Sequence, residues 1–570
     1  MLKRWELKVC DPSVVSELAG RLGIHAVAAA VLAGRGIVSS DQGQAFLNPS
    51  LAAMPDPFML KGVAKAVDRL RRALDSGESV CIYGDYDVDG ISGTALLVSF
   101  LRRVGLNCSY FIPNRFDDGY GLNRNALQQI TDGGATLIVT VDCGITSVSE
   151  AEFCRCSGID LIIVDHHSPR ELLPDACAVV NPLQPDCPYP FKSLAGVGVA
   201  FNLLIALRSR LRQAGAFRED PEPDLRQWLD LVALGTIADV VPLIGQNRIY
   251  AYYGLKQLGI SPRPGIEALK RVAGITGEVS CGQVGFRLAP RLNAAGRIES
   301  AVPGVELLLG SDLLNSNAIA EELDAANAER QAIERRMLEE AIALVEGEGT
   351  YPARRSIVLA SAAWHQGVVG IVASRLVERY HRPTILIALD DDGHGKGSGR
   401  SIPGFHLLEA LDASSEHLER FGGHRYAAGV GLAADRISAF AAAFETTAQM
   451  MLAGAELTPT LALDAEVMPA HISPGLVDDL KRLEPFGAGN PEPTLLLRGV
   501  TVLDRRTVGE GHLKLRLKAG GRILDGIAFR QADRASDGLL DVAFFPELNV
   551  WNNTTTLQLR IKDIRPAEMP

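Results

Sequence analysis

Three aspartates alternate in Gly84-Asp85-Tyr86-Asp87-Val88-Asp89-Gly90. Carboxylates this close repel one another, so the string is either a solvated acidic turn or a place where a cation offsets the cost. It copies the first half of a calcium EF-hand loop, but the twelfth position is Leu96, where that loop needs a bidentate Glu. The EF-hand reading therefore fails. Further along, Asp142 closes one apolar run, Asp165-His166-His167 closes another, and Asp239 follows a third. Each has an ordinary structural reading taken alone: an Asp at a strand end is commonly a turn residue, and adjacent histidines are often plain core or surface. Taken together, hard carboxylates with one or two imidazoles suit Mn²⁺ or Mg²⁺ better than a thiolate-preferring metal.

The elements that must position these groups are legible as patterns. SVCIYG (79–84), ATLIVTVDCG (135–144) and LIIVDHH (161–167) read as short buried strands, and GTALLVSFLRRVG (93–105) has helical spacing. DLVALGTIADVVPL (230–243) reads as helix or strand running into a turn. Such alternation predicts an α/β fold with a mostly parallel sheet, whose ligands bind beyond the carboxyl ends of the strands. All the acids and histidines from Asp85 to His167 named above would then share one edge.

The rest of the chain divides by composition. Residues 1–55 form an N-terminal lead-in, and 56–255 the first α/β domain. Residues 256–347 hold an arginine-bearing loop and a long connecting helix, 348–455 a smaller α/β domain, and 456–570 short alternating strands that suggest a β-barrel. The helix is expected over 311–348, with Leu323, Ile333, Met337, Ala341 and Leu344 on one face. In the loop, Arg287, Arg291 and Arg297 flank Asn293; this is either a solvated stretch or a phosphate clamp.

At 570 residues, 47% hydrophobic and 22% charged, the composition fits a globular multidomain protein. Nine cysteines without a CxxC pair predict free thiols in a reducing cytoplasm. No apolar run is long enough for a bilayer, and no leader is visible. The net charge of −11 argues against a coat of nucleic acid but leaves room for a local basic groove. From Arg498 to Arg530 there are eight basic side chains against three acids. Lys514, Arg516 and Lys518 fall on one strand face, which is either a charged solvated strand or a track for a single-strand backbone.

GDYDVDG, VDCG, VDHH and GTIADVVPL resemble the four ordered motifs of the DHH phosphoesterase superfamily, in particular its single-strand-specific 5′→3′ DNA exonucleases. FRLAPRLNAAGRI (286–298) resembles the motif that follows the DHH core. WHQGVVGIVASRL, GSGRS and FGGHRYAAG resemble a DHHA1 domain, GSGRS being read as a Gly-rich loop, and LEPFGAGNPEP resembles the opening of an OB-like barrel. The resemblance implies two divalent cations, Mn²⁺ or Mg²⁺, on Asp87, Asp89, Asp142, His166 and Asp239, with Asp142 bridging. It makes Asp85 and Asp165 orienting members of the catalytic set, and it turns His167 toward the scissile phosphate. It assigns Arg115, Arg291, Asn293, Arg297, Ser398, Arg400 and His424 to the strand, His424 having a purely structural turn as its other reading. The implied activity is hydrolysis of single-stranded DNA to 5′-mononucleotides in repair and recombination. The alternatives are a small-substrate phosphoesterase and a non-catalytic DNA-binding scaffold. Implied partners are single-stranded DNA, a single-strand-binding protein and a helicase, for a cytoplasmic monomer with no membrane contact.

Overall fold

The computed structural model describes residues 3–114, 121–347, 349, 351, 353–532, 534, 538–551 and 554–567. Arg115 lies outside the described residues. The chain divides into two compact units, one of Met1–Arg4, Pro290–Pro303 and Ala318–Thr460, the other of Trp5–Ala289, Gly304–Asn317 and Leu461–Pro570. Among the described residues no helix is long and apolar enough to cross a membrane. All nine cysteines are free thiols.

Among the described residues the lead-in holds one strand, β1 (Arg4–Leu7), and three α-helices, α1 (Pro12–Leu22), α2 (Ala26–Ala33) and α3 (Ser40–Leu47). Asp11, His25 and Ser39 cap them by accepting backbone N–H bonds. Leu18, Val27, Val31 and Leu32 are buried in the core of the C-terminal barrel. The lead-in is thus built into the other end of the chain.

After α4 (Val63–Ser76) come β2 (Ser79–Gly84), α5 (Val88–Arg103), β3 (Asn107–Phe111), α6 (Arg124–Asp132), β4 (Leu137–Val141), α7 (Val148–Cys156), β5 (Asp160–Val164) and β6 (Ala178–Val180). The strands form one sheet in the order β3-β2-β4-β5-β6, and every pair is parallel. The apolar runs are buried along their length, as strands covered on both faces must be. Gly84 pairs with Val141 in register, so the ends of β2 and β4 meet at one edge. Beyond the sheet lie α8 (Gly196–Gln213), α9 (Leu229–Ala238), α10 (Gly245–Ile260) and α11 (Pro264–Val272). Nine consecutive residues of α9, Leu229 to Ile237, are buried, so 230–238 is a core helix rather than a strand.

The arginine-bearing loop expected at 286–298 is helical. A short α12 (Cys281–Gln283) runs into one π-type stretch, Val284–Leu288, and then α13 (Ala289–Ile298). Leu288, Leu292, Ala294 and Ala295 are buried, and their spacing gives the segment a helical apolar face. After α14 (Val302–Leu309) the long helix α15 spans Leu313–Gly347. Its buried stripe runs Leu323, Asn327, Arg330, Glu334, Met337, Ala341, Val345. Ile333 is half-buried, and Leu344 is exposed rather than inward, because a step of four from Ala341 keeps better phase with the helix.

The unit that includes Ala318–Thr460 carries β7 (Ile357–Ser361), α16 (Val369–Tyr380), β8 (Thr384–Leu389), β9 (His394–Arg400), β10 (Arg420–Gly423) and β11 (Ala427–Ala433). Their sheet runs β10-β11-β9-β8-β7, with only β7 and β8 parallel. GSGRS, expected as a Gly-rich loop, lies mainly in strand β9. Its glycines let neighbours close in: a Cβ on Gly397 would lie 2.6 Å from Val430 and 2.9 Å from Ile387.

β12 (Thr460–Leu463) pairs with β1, and β13 (Ala465–Glu466) pairs with the barrel. The barrel strands are β14 (Leu495–Val508), β15 (His512–Ala519), β16 (Arg522–Ala528), β17 (Leu539–Trp551) and β18 (Thr554–Pro566). The order β14-β15-β16-β18-β17 closes through β14–β17 pairing, which leaves no free edge among these five strands.

Candidate metal centre

The first acid cluster sits where β2 turns into α5. Asp87 is the N-cap of α5, accepting from the N–H groups of Asp89 at 2.9 Å and Gly90 at 3.1 Å. Gly90 is required, since a Cβ there would meet the Asp85 backbone at 2.5 Å. Asp89 is buried and points across to α8, where the N–H groups of Gly196 and Val197 donate to its two oxygens at 2.6 and 2.9 Å. A helix N-terminus thus holds this carboxylate. Asp142 follows β4 with φ at 66°, a left-handed conformation that costs an L-residue roughly 1–3 kcal/mol and is found at functional sites. After β5, Asp165 accepts four bonds, from the N–H of Ile145, His166 and His167 and from the His167 ring Nδ1 at 2.8 Å. Asp239 ends α9 as its C-cap.

These groups converge. His166 Nε2 lies 3.1 Å from Asp142 Oδ1, 3.6 Å from Asp239 Oδ2 and 4.0 Å from Asp89 Oδ2. Ligand atoms gather within 4.8 Å of one another in three sets: Asp85 with Asp87 and Asp142; Asp89 with His166 and Asp239; Asp142 with His166 and His167. Asp142 is common to two sets, and Asp85 stands in direct reach of the shared position. Electrostatics match the crowding. Burial, then Asp87, pushes Asp89 up to about 7. Burial, then Asp89 and Asp87, pushes Asp239 up to about 9. Burial and four neighbouring aspartates raise Asp142 well above the ordinary range. Burial and His167 lower His166 to about 4, so it is a neutral imidazole. For His167, burial opposes the charge, but Asp165 outweighs it and raises the ring above its ordinary value.

The donor set fits divalent cations. Among the described residues, Asp142 Oδ1, His166 Nε2 and Asp239 Oδ2 are buried and have no hydrogen-bond partner. A buried polar atom without a partner is expensive, and a cluster of them facing one point is what a bound cation would satisfy. The groups that hold the acids in place could not be read from motif acids alone. Gly196 has no room for a side chain, as its Cβ would lie 2.8 Å from Asp142 Cβ; Gly235 is equally tight against Asp89 Oδ1. The sequence signal for Gly196 is the small-residue pattern Ala195-Gly196-Val197-Gly198, while Gly235 opens the GTIADVVPL segment.

The described residues assigned to the strand lie on α13, on β9, at the turn between β10 and β11, and on β15. Arg291, Asn293 and Arg297 are all on α13. Arg291 Nε pairs with Asp324 at 2.8 Å, and Arg297 Nη1 donates to Gly367 O at 3.3 Å. Ser398 and Arg400 share one face of β9, with Arg400 Nη1 donating to Ser398 Oγ at 2.9 Å. Both lie over Gly370 at the start of α16, where a Cβ would come within 2.9 Å of each. His424 is exposed, and its backbone N–H closes a turn onto Ala427 O. Lys514, Arg516 and Lys518 share the outer face of β15, since Leu513, Leu515 and Leu517 fill the barrel. Cross-strand, Arg506 faces Lys514, whereas Asp504 and Asp525 flank Arg516. The basic stripe is therefore interrupted at its centre.

The chain matches the DHH family, N-terminal domain, over residues 79–236, the DHHA1 domain over 355–450 and the RecJ OB domain over 463–563. It is 39% identical to the single-stranded-DNA-specific exonuclease RecJ of Bacillus subtilis, across 99% of this chain and 71% of that one. The chain belongs to the RecJ family. The Escherichia coli RecJ is 41% identical over 94% of this chain and 95% of its own. The crystal structure of Thermus thermophilus RecJ in complex with Mn²⁺ superimposes with a TM-score of 0.85 at 35% identity, covering 99% of this chain and 80% of that one. The DHH match contains every acid of the metal-centre cluster described above except Asp239, which stands just past its end.

Proposed function

We propose that this RecJ-family chain is a divalent-metal-dependent exonuclease that hydrolyses single-stranded DNA from its 5′ end to 5′-mononucleotides, in DNA repair and recombination. The observation that supports it best is the knot of buried, unpartnered carboxylate and imidazole atoms at one sheet edge. Asp87, Asp89, Asp142, His166 and Asp239 would hold two cations, Mn²⁺ or Mg²⁺, with Asp142 shared and Asp85 closing the set around it. Bound there, two such ions would supply a lowered water pKa and neutralisation of charge on the attacking and leaving oxygens. The chain's own residues do the rest. Asp165 fixes the His167 ring through Nδ1, which leaves Nε2 to face a phosphate oxygen. The α8 N-terminus fixes Asp89, and the left-handed backbone aims Asp142. Arg291, Asn293, Arg297, Ser398, Arg400, His424 and Arg115 would grip the strand, and Lys514 and Lys518 would track its backbone electrostatically.

The five sequence segments, 1–55, 56–255, 256–347, 348–455 and 456–570, are the working parts in this reading. The chain acts as a cytoplasmic monomer, with a single-strand-binding protein and a helicase as partners. A gel of 3′-labelled single strands, matched duplex and a dinucleotide with Mn²⁺ tests the reading. A ladder shortening from the 5′ end on single strands alone supports it. Cleavage of the dinucleotide but not the long strand would move the chain to small substrates, and binding without cleavage would make it a scaffold.

A further inference from the structure

The first turn of α10 carries three buried polar side chains in sequence, Gln246, Asn247 and Arg248, and the last two bond to backbone carbonyls rather than to the metal acids. The Asn247 amide donates to two carbonyls, Ser193 O and Pro242 O. Ser193 leads into α8, whose N-terminus holds Asp89. Pro242 stands just after Asp239. One side chain therefore ties together the two segments that aim two of the metal acids. Arg248 points the other way. Its guanidinium donates to Phe46 O at 3.0 Å, Leu483 O at 2.9 Å, Glu484 O at 2.8 Å and Arg482 O at 3.3 Å, and it lies 3.9 Å from the Phe46 ring centroid. Among the described residues no carboxylate forms an ion pair with it. A buried guanidinium satisfied by carbonyls alone gains little stability from charge pairing, but its planar fork fixes geometry.

The loop that Arg248 grips, 482–491, precedes the first barrel strand. Asn490 braces it internally, donating to Leu483 O and Pro485 O. The loop then returns to the Asp239 segment: Leu243 N–H donates to Ala488 O at 2.7 Å. Gly487 and Gly489 press against that segment, with Cβ positions 2.7 Å from Leu243 and 2.9 Å from Pro242.

We infer that Asn247 and Arg248 are positioning residues through which the barrel's loop 482–491 sets the aim of Asp89 and Asp239, so that the C-terminal module tunes metal binding as well as the path of the strand. The inference rests on the metal-centre reading of the proposed function. Mutation of residues that orient metal ligands typically costs about 10–100-fold in metal affinity or activity. In the full-length chain, Asn247→Ala and Arg248→Met should weaken Mn²⁺ binding by calorimetry about ten-fold and lower kcat, with the KM for a single strand within about two-fold. Excess Mn²⁺ should restore part of kcat. Gly487→Ala changes only an exposed loop position yet sets a Cβ 2.7 Å from the buried Leu243 side chain, so the loop or Leu243 in the Asp239 segment must shift; it should show the same signature at about three-fold or more. It keeps the test decisive if either buried substitution prevents folding. Mn²⁺ affinity and kcat within two-fold of the parent in Gly487→Ala, or an effect confined to KM, would overturn the inference. A parent chain that binds Mn²⁺ but cuts nothing would remove the exonuclease reading while leaving the affinity comparison intact.

Discussion

Asp165 receives four N–H donors, and a carboxylate can accept them all whereas an amide cannot. Asp165→Asn would turn an NH₂ group toward one or more of those donors and loosen the His167 ring. We expect kcat to fall about 10–100-fold with little change in KM, as for other groups that orient a metal site. Steady-state kinetics on a single-stranded oligonucleotide check this; an unchanged kcat would make the Asp165–His167 bond incidental. At this scale the sequence says which side chains matter but not how they are held. Asp85, Asp87, Asp89, Asp142, His166, His167 and Asp239 stand out because their types suit hard cations. The left-handed backbone at Asp142 and the α8 grip on Asp89 do not, because both depend on where distant backbone atoms fall.

Among the elements, the outer face of β15 bears on strand binding. Arg516 stands between Asp504 and Asp525, while Lys518 has Thr501 and Ile523 as cross-strand neighbours. Removing Lys514 and Lys518 together should lower the slope of log affinity against log salt by about 1.4, at about 0.7 per phosphate contact on a single strand. Arg516→Ala should change it less. Fluorescence anisotropy at several salt concentrations measures both, and an unchanged slope in the double variant would take this face out of the strand path. Parallel strands were legible because each apolar run ends in polar chemistry and is followed by helical spacing. The 286–298 segment was misread as a loop because its arginines hide an apolar face of Leu288, Leu292 and Ala295. GSGRS was misread because alternate glycines signal a loop in isolation and a tightly packed strand only beside Val430 and Ile387.

The whole molecule joins its two ends, which no local pattern announces: Leu18, Val27, Val31 and Leu32 of the lead-in belong to the barrel core. At about 1.5–3 kcal/mol for each buried side chain of this size, deleting residues 1–47 should destabilise the barrel by several kcal/mol and lower its melting temperature. The metal acids add a pH dependence. Asp89 and Asp239 have folded-state values of about 7 and about 9 without metal, above the ordinary 3.8. Values raised on folding mean that their stabilising contribution is complete below the unfolded value and is lost as pH rises through the folded ones. Metal-free protein should therefore melt at progressively lower temperature across this range, while bound Mn²⁺ stabilises it increasingly by mass action. Melting in EDTA and in Mn²⁺ from mildly acidic to alkaline pH tests this, and a gap that does not widen with pH would contradict it.

The most direct test of the metal-centre account pairs Mn²⁺ stoichiometry with turnover in Asp142→Ala. The parent chain should bind two Mn²⁺ per molecule and degrade single strands. The variant should lose at least one ion and about 10³-fold in kcat, since each 1.36 kcal/mol of lost stabilisation is a factor of ten and a metal supplies several, while still binding the strand. Near-parental turnover, or two ions still bound in the variant, would contradict the account.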